Sequence, residues 1–367
     1  MDAVTPQPAR PLYFINAPTD YACIGGLSIA LYAALALLQR GAHITPPAAQ
    51  WSAAAAAFTW LCNWPHFAAT SYRLYHSKRN IAQYPVTAAV IPLLMLAAIV
   101  ASLASPDGVA PYFVKLYLIW SPYHYSGQSL GISLLYARRA GVRIGRLERL
   151  ALSGFIFGTF LLPSSRAEVG ADVRTFYGIS YPMLRLPSAV PAILAAVMWT
   201  CGAAFLVLIL SRAARTRRLP PPIVLLPAVT QLVWFEVGAR IPSFNEFVPF
   251  FHGLQYLLIA WAMQLKEQMD EHHVAPSPRY ALTESLRWGA VILLGGAALF
   301  WVLPRVGLLA GFSLSIAEPV IIAAVQIHHF FVDGVIWKLK NPRVSSPLLV
   351  NLEQLTRATP SSLAEPS

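Results

Sequence analysis

Long apolar runs separated by short polar or basic breaks repeat along the whole chain. They cover 21–38, 51–74, 85–104, 111–136, 148–163, 188–211, 221–239, 246–267, 287–304 and 312–337. A helix needs roughly 20 apolar residues to cross the hydrocarbon core of a bilayer, and each run is close to that length. The pattern predicts an all-α fold, a polytopic transmembrane helical bundle of about ten spans. Residues 1–20 form an N-terminal segment before the bundle and 21–340 form the bundle itself. The Ser-, Thr- and Pro-rich stretch 341–367 is expected to be a disordered tail. Pro65, Pro92, Pro122, Pro191, Pro249 and Pro319 fall inside runs and mark expected kinks.

Composition sharpens this picture. Hydrophobic residues make up 56% of the 367 and charged residues only 12%, with a mean hydropathy of +0.54. A soluble domain carries roughly 25% charged residues, so too few are present for a water-facing surface. The net charge of +11 would suit a nucleic-acid binder, but the Lys and Arg sit in short breaks between apolar runs. That is the positive-inside pattern, and it argues against nucleic acid as a partner. The basic breaks include Arg73, Lys78 and Arg79, then Arg138 to Arg149, Arg212 to Arg218, and Lys338 to Arg343. They put the even-numbered loops and both termini in the cytoplasm, for a multi-pass protein of the cell (inner) membrane. The first run lacks a basic leader and a small-residue cleavage site, so it reads as a retained helix. Cys23, Cys62 and Cys201 lie inside apolar runs, without zinc-site or disulfide spacing.

Ionisable side chains are expensive in hydrocarbon, so those inside the runs carry the functional expectation. Five of nine histidines fall there: His66, His124, His252, His328 and His329. They occupy the second, fourth, eighth and tenth runs, which all pass from outside inwards. At 1.5 Å per residue, all but His252 lie roughly 20–25 Å from the outer ends of their runs. Each has polar company at helical spacing. Thr59, Asn63, His66, Thr70 and Arg73 share one face, as do Ser121, His124 and Gln128; His252 goes with Gln255 and Tyr256, and His329 with Glu318 and Asp333. His328 points about 100° away from His329.

Polar stripes facing lipid would be unsatisfied, so these four must face one another or a cavity. Neutral imidazoles gathered inside a bundle can bind iron, copper or zinc, with His66, His124, His252 and His328 as ligands and His329 as a replacement. Asn63, Gln128, Gln255 and Asp333 would orient the rings, and Tyr123, Tyr125 and Tyr256 would line a pocket or simply pack. His76, His272 and His273 lie at cytoplasmic ends and read as solvated surface, or, for His76 with Lys78 and Arg79, as a lipid-headgroup contact. The loop 164–187, with Phe176, Tyr177, Tyr181 and Leu184, reads as an interfacial aromatic segment or a cover over a pocket mouth.

The stretches NWPHFAAT (His66), SPYHYSGQS (His124), PFFHGLQYL (His252) and IHHFFVDG (His328 to Asp333) resemble, in the same order, motifs of the bacterial Brp/Blh family of membrane beta-carotene dioxygenases. The resemblance covers about a tenth of the chain and implies a related fold with an iron-bearing histidine core. It departs from the family at Tyr256, which stands where a second histidine is usual, and at Thr70 and Gln128, which follow the first two histidines without an acid.

Three functions follow as expectations. The first is a membrane-embedded non-haem iron oxygenase, an oxidoreductase of the oxygenase, hydroxylase or desaturase type. It would act on an isoprenoid or acyl lipid, with an electron-donor protein as a further partner. The second is a proton-coupled transporter whose path runs past Glu236, Glu246 and Glu318 to His329 and Asp333. The chain has no repeated halves of the kind many carriers show. The third is a b-type haem protein. A retinal Schiff base is disfavoured, because the lysine well inside a run, Lys115, is near its outer end. Phosphate-loop, dinucleotide and nucleophile-elbow motifs are absent from any credible context.

Overall fold

The computed structural model describes residues 11–41, 48–170, 173–337, 348 and 351–356. Ten helical segments follow the ten apolar runs. They are α1 (Ala17–Gln39), α2 (48–75), α3 (Val86–Ala104), α4 (Ala110–Arg139), α5 (Arg146–Ala167), α6 (Ala189–Thr216), α7 (226–237), α8 (Val248–Glu271), α9 (Pro278–Leu309) and α10 (Leu314–Ile336). Six of these, α1, α3, α5, α6, α9 and α10, are long and apolar enough to cross a membrane among the described residues. The protein is an almost wholly helical bundle of the membrane type. The other long helices, α2, α4 and α8, are diluted by the polar residues they carry inwards.

Burial separates core from rim. In the most apolar stretches of α3 and α6 only 22% of residues are buried, against 67% in α10. Leu93, Leu94 and Leu96 on α3, Val207 and Leu210 on α6, and Leu282, Leu286 and Leu294 on α9 are exposed, as lipid-facing side chains must be. The tenth helix is the central one, packed against α2, α3, α4 and α9.

Three prolines share a local solution. Pro65, Pro92 and Pro304 each stand two residues beyond a π-turn: Thr59–Asn63, Val86–Val90 and Ala298–Val302. Proline has no N–H for the carbonyl four residues back, and widening the preceding turn re-pairs the backbone without water. Of the other expected kink positions, Pro122 and Pro319 lie inside continuous helices. Pro191 and Pro249 fall in first turns, where the missing N–H costs nothing.

After α5, Arg174–Phe176 and Ile179–Tyr181 form an antiparallel hairpin. Ile179, with Phe176 and Tyr181, packs on Phe113, Tyr117 and Val320 near the starts of α4 and α10, so this loop covers the core there. Lys115 is buried and ion-paired with Glu168 just beyond α5, which removes it from any covalent role.

The expectation of a disordered tail over 341–367 needs correction where the chain is described. Leu352–Thr356 is a short helix, and Leu348, Leu352 and Leu355 are buried against α8 and α9 residues such as Met263 and Ala281. Arg139, at the end of α4, donates to the carbonyls of Leu12, Tyr13 and Leu348, and the amide of Leu352 donates to the carbonyl of Phe14. The segment before α1 and the segment bearing Leu348 and Leu352 are thus tied together at one place by Arg139, with Asn351 donating to the Tyr13 and Ile15 carbonyls beside it. The remainder of 1–20 and 341–367 lies outside the described residues.

Candidate metal centre

Four helices deliver one histidine each to a common point: His66 from α2, His124 from α4, His252 from α8 and His329 from α10. Each offers a ring nitrogen such that all four lie within 4.8 Å of one another. His66, His252 and His329 are at most 1% exposed. The rings form a closed square of edge-to-face contacts. Centroid separations are 4.7 Å for His66–His329, 4.8 Å for His329–His124, 5.2 Å for His124–His252 and 5.0 Å for His252–His66.

Glycines allow the helices to come this close. A Cβ on Gly253, next to His252, would lie 2.8 Å from the Cys62 carbonyl oxygen, and one on Gly296 of α9 would lie 2.8 Å from the Trp64 backbone. Helix α2 is therefore held between α8 and α9 by close backbone contact at residues 62–65, in the turn that leads into His66.

The hydrogen-bond inventory explains what the rings can do. Nδ1 of His66 is 2.5 Å from the Asn63 carbonyl oxygen, which can only accept, so Nδ1 carries the proton and Nε2 keeps its lone pair. That Nε2 is 3.2 Å from Nε2 of His329, which is 3.1 Å from Nε2 of His124. Both ring nitrogens of His252 and Nδ1 of His329 are buried without a partner among the described residues. Each unsatisfied group costs about 1–3 kcal/mol, and a metal at the centre would relieve that cost at one nitrogen of His252, leaving its other nitrogen and Nδ1 of His329 as outward-facing groups. At a metal–nitrogen distance of about 2.0–2.1 Å, the edges of a tetrahedron are about 3.3 Å long. The close Nε2 pairs match that spacing, so the donor set fits a first-row metal ion.

Asp333 completes the group. Its Oδ1 accepts from Thr70 Oγ1 at 3.0 Å and from Trp337 Nε1 at 3.2 Å. Its Oδ2 lies 3.4 Å from Nε2 of His329 and 3.6 Å from Nε2 of His124. Thr70, donating to Asp333, accepts in turn from the Tyr256 hydroxyl at 2.6 Å. A carboxylate 9% exposed among four neutral rings is the counter-charge a divalent ion would need.

Several expectations change. The adjacent histidines exchange roles: His329 joins the cluster, while His328 turns away, stacks on Tyr75 and meets its hydroxyl at 3.1 Å. Successive residues diverge by about 100°, and the packing of α10 against α4 and α2 selects the face bearing His329. Asn63 orients His66 through its backbone oxygen, whereas its own side-chain oxygen is unpartnered. Gln128 and Gln255 bind each other instead of a ring; Gln128 also donates to the His252 carbonyl at 3.1 Å, and Gln255 to the Ile24 carbonyl at 2.5 Å. They fix the backbone beneath His252. Asp333 approaches the nitrogens that face the centre, so it stands at the site and not behind it.

A cavity of about 330 Å³ begins at the cluster. His124, Asp333, Tyr123, Gln128 and Tyr256 all line it. Tyr125 does not; its ring lies flat on His252 at 3.8 Å between centroids and separates the cluster from a second space nearer the start of α4. The sequence reading overlooked Trp337, one turn beyond Asp333, although an indole donor at that spacing from a buried carboxylate is a usable signal.

In comparisons with known proteins, no family model, curated sequence or solved structure matched this chain.

Proposed function

We propose that the protein is a membrane-embedded non-haem iron oxygenase acting on a hydrophobic substrate. The observation that carries this reading is the meeting of four histidine ligand atoms within 4.8 Å with an apolar cavity that opens on His124 and Asp333. His66, His124, His252 and His329 would hold the ion, and Asp333 would balance its charge and hold or release a proton at Oδ2. Iron, when bound, supplies the dioxygen chemistry that side chains lack. The helices around it exclude water, and the motif order similar to the Brp/Blh family adds support for iron over copper or zinc. The reading includes ten spans in the inner membrane, both termini on the cytoplasmic side, and an electron donor approaching there, in line with the Lys and Arg bias.

The alternatives draw less from the geometry. Rings in mutual edge-to-face contact leave no slot for the flat macrocycle of a haem. For a proton-coupled carrier, Glu236 is bound by both oxygens to Arg166 and Glu246 is exposed, which leaves Glu318, half-buried on α10, as the one of the three glutamates on the helix of His329.

The test is elemental analysis of detergent-purified protein prepared without chelator, beside His124→Ala and His329→Ala. Near-stoichiometric iron lost in both folded variants, with oxygen uptake on adding membrane lipids to wild type, is the expected result. Absence of any retained metal would sink the proposal.

A further inference from the structure

The cavity beside the histidines is a groove with one open side. Its wall on α4 is a single helical stripe: Trp120, Tyr123, His124, Gly127, Gln128, Gly131, and then Ile132 and Leu135. From His124 to Leu135 this stripe runs about 17 Å along the helix. The facing wall on α10 is Phe330, Asp333, Gly334 and Trp337, and Ile259 of α8 forms part of the back.

Glycines make the opening. A Cβ added to Gly127, Gly131 or Gly334 would meet nothing within 4 Å, so each borders empty space. Tyr123, Gly127 and Gly334 are exposed at the rim. With the orientation proposed above, the exposed gap between α4 and α10 lies on the inner-leaflet half of the bundle, and Leu348 lines part of its wall. At the inner end the groove becomes polar: Asp333, 91% buried, presents an Oδ2 whose nearest ring nitrogens stand beyond hydrogen-bond length, at 3.4 and 3.6 Å.

We infer that the gap between α4 and α10 is a lateral portal that admits one acyl chain of a membrane lipid from the bilayer and lays it along Gly131 and Gly127 to His124. The acyl chain is the occupant because a gap at this depth meets the chains of the surrounding leaflet directly. The chain lies parallel to α4, as leaflet chains lie parallel to the helices. Its headgroup stays at the level of the exposed Arg138, where α4 ends. Carbons of the distal half of the chain, not the carboxyl end, then stand at the histidines, and mid-chain carbons lie beside Gly131 and Gly127. The inference rests on the proposed function for its meaning, but the portal itself does not require a bound metal.

Photolabelling tests it. The full-length protein in nanodiscs is irradiated with a phosphatidylcholine carrying a diazirine near the carboxyl group, at mid-chain or at the chain end. A geranylgeranyl diazirine serves as the second probe. The expected result is mid-chain label on 120–131 and on Phe330 or Gly334. That label falls roughly tenfold or more in Gly127→Leu/Gly131→Leu, the scale on which a filled pocket discriminates, and partly in Gly131→Ala. The added Cβ atoms meet nothing within 4 Å and project into the cavity, so metal content is expected to stay at the wild-type level. Label confined to the lipid-facing residues of α3, α6 and α9, or unchanged by the glycine variants, overturns the portal. Label from the geranylgeranyl probe alone overturns the acyl assignment. Wild-type protein that takes the label but holds no metal refutes the oxygenase and leaves the portal standing. Metal without label does the reverse.

Discussion

The Nε2 atoms of His66 and His329 stand 3.2 Å apart although 263 positions separate them in the chain. The His66 nitrogen keeps its lone pair because Nδ1 is committed to the Asn63 carbonyl. A pair so arranged, repeated between His329 and His124, distinguishes a ligand set from histidines that merely pack. The distinction can be tested residue by residue.

The adjacent histidines provide the sharpest contrast. His329→Ala is expected to lose bound metal, whereas His328→Ala should retain it, since His328 contacts Tyr75 outside the cluster. Metal content of the two purified variants, measured side by side, decides the matter; equal loss in both would contradict the assignment.

Asp333→Asn preserves shape and removes charge. Its carboxylate is bound by Thr70 and Trp337 and faces two ring nitrogens. Metal affinity should fall about 10–100-fold, the range for conserved-shape changes beside a metal site. Competition against a chelator of known affinity gives the number. An unchanged affinity would place Asp333 outside the site's electrostatics.

Gly253→Leu should act at a distance of one residue. Its side chain must displace the Cys62 carbonyl, pushing α2 from α8 and separating His66 from His252. Overpacking of this kind costs about 1–3 kcal/mol. The expected outcome is a lowered melting temperature together with loss of metal, read by thermal unfolding and elemental analysis on the same sample.

Arg139→Ala tests the latch between the segment before α1 and the one bearing Leu348. Removing its bonds to Leu12, Tyr13 and Leu348 takes a charged donor from all three carbonyls, of which Tyr13 keeps Asn351 as a partner, beside a buried Asp20. A loss of about 2–4 kcal/mol is expected from charge-assisted hydrogen bonds in a buried setting. Limited proteolysis should cut near 351–356 first, because Leu352 and Leu355 lose their seat before the transmembrane helices do.

Much of this architecture is local information. Hydropathy over about 20 residues locates a membrane helix without reference to its neighbours, and the ten runs all reappear as helical segments. Helical spacing likewise put Thr70 with His66 and Asp333 with His329 on common faces, and the structure keeps both pairs together. Even the four helices that meet at the centre were marked by their buried polar residues, because hydrocarbon leaves such residues nowhere else to go. What needed the tertiary structure was every choice between neighbouring side chains. Helical spacing put His329 with Asp333 and His328 on another face, but which of the two faces meets the centre was decided only by the rotation of α10 against α2 and α4. Gln128 and Gln255 turned to each other and to carbonyls freed elsewhere in the bundle, including Ile24 where α1 widens. The groove beside His124 exists because Gly127 and Gly131 on α4 happen to face Gly334 on α10. Composition assigns each residue its cost of burial, but a distance between helices is fixed only when all of them pack at once.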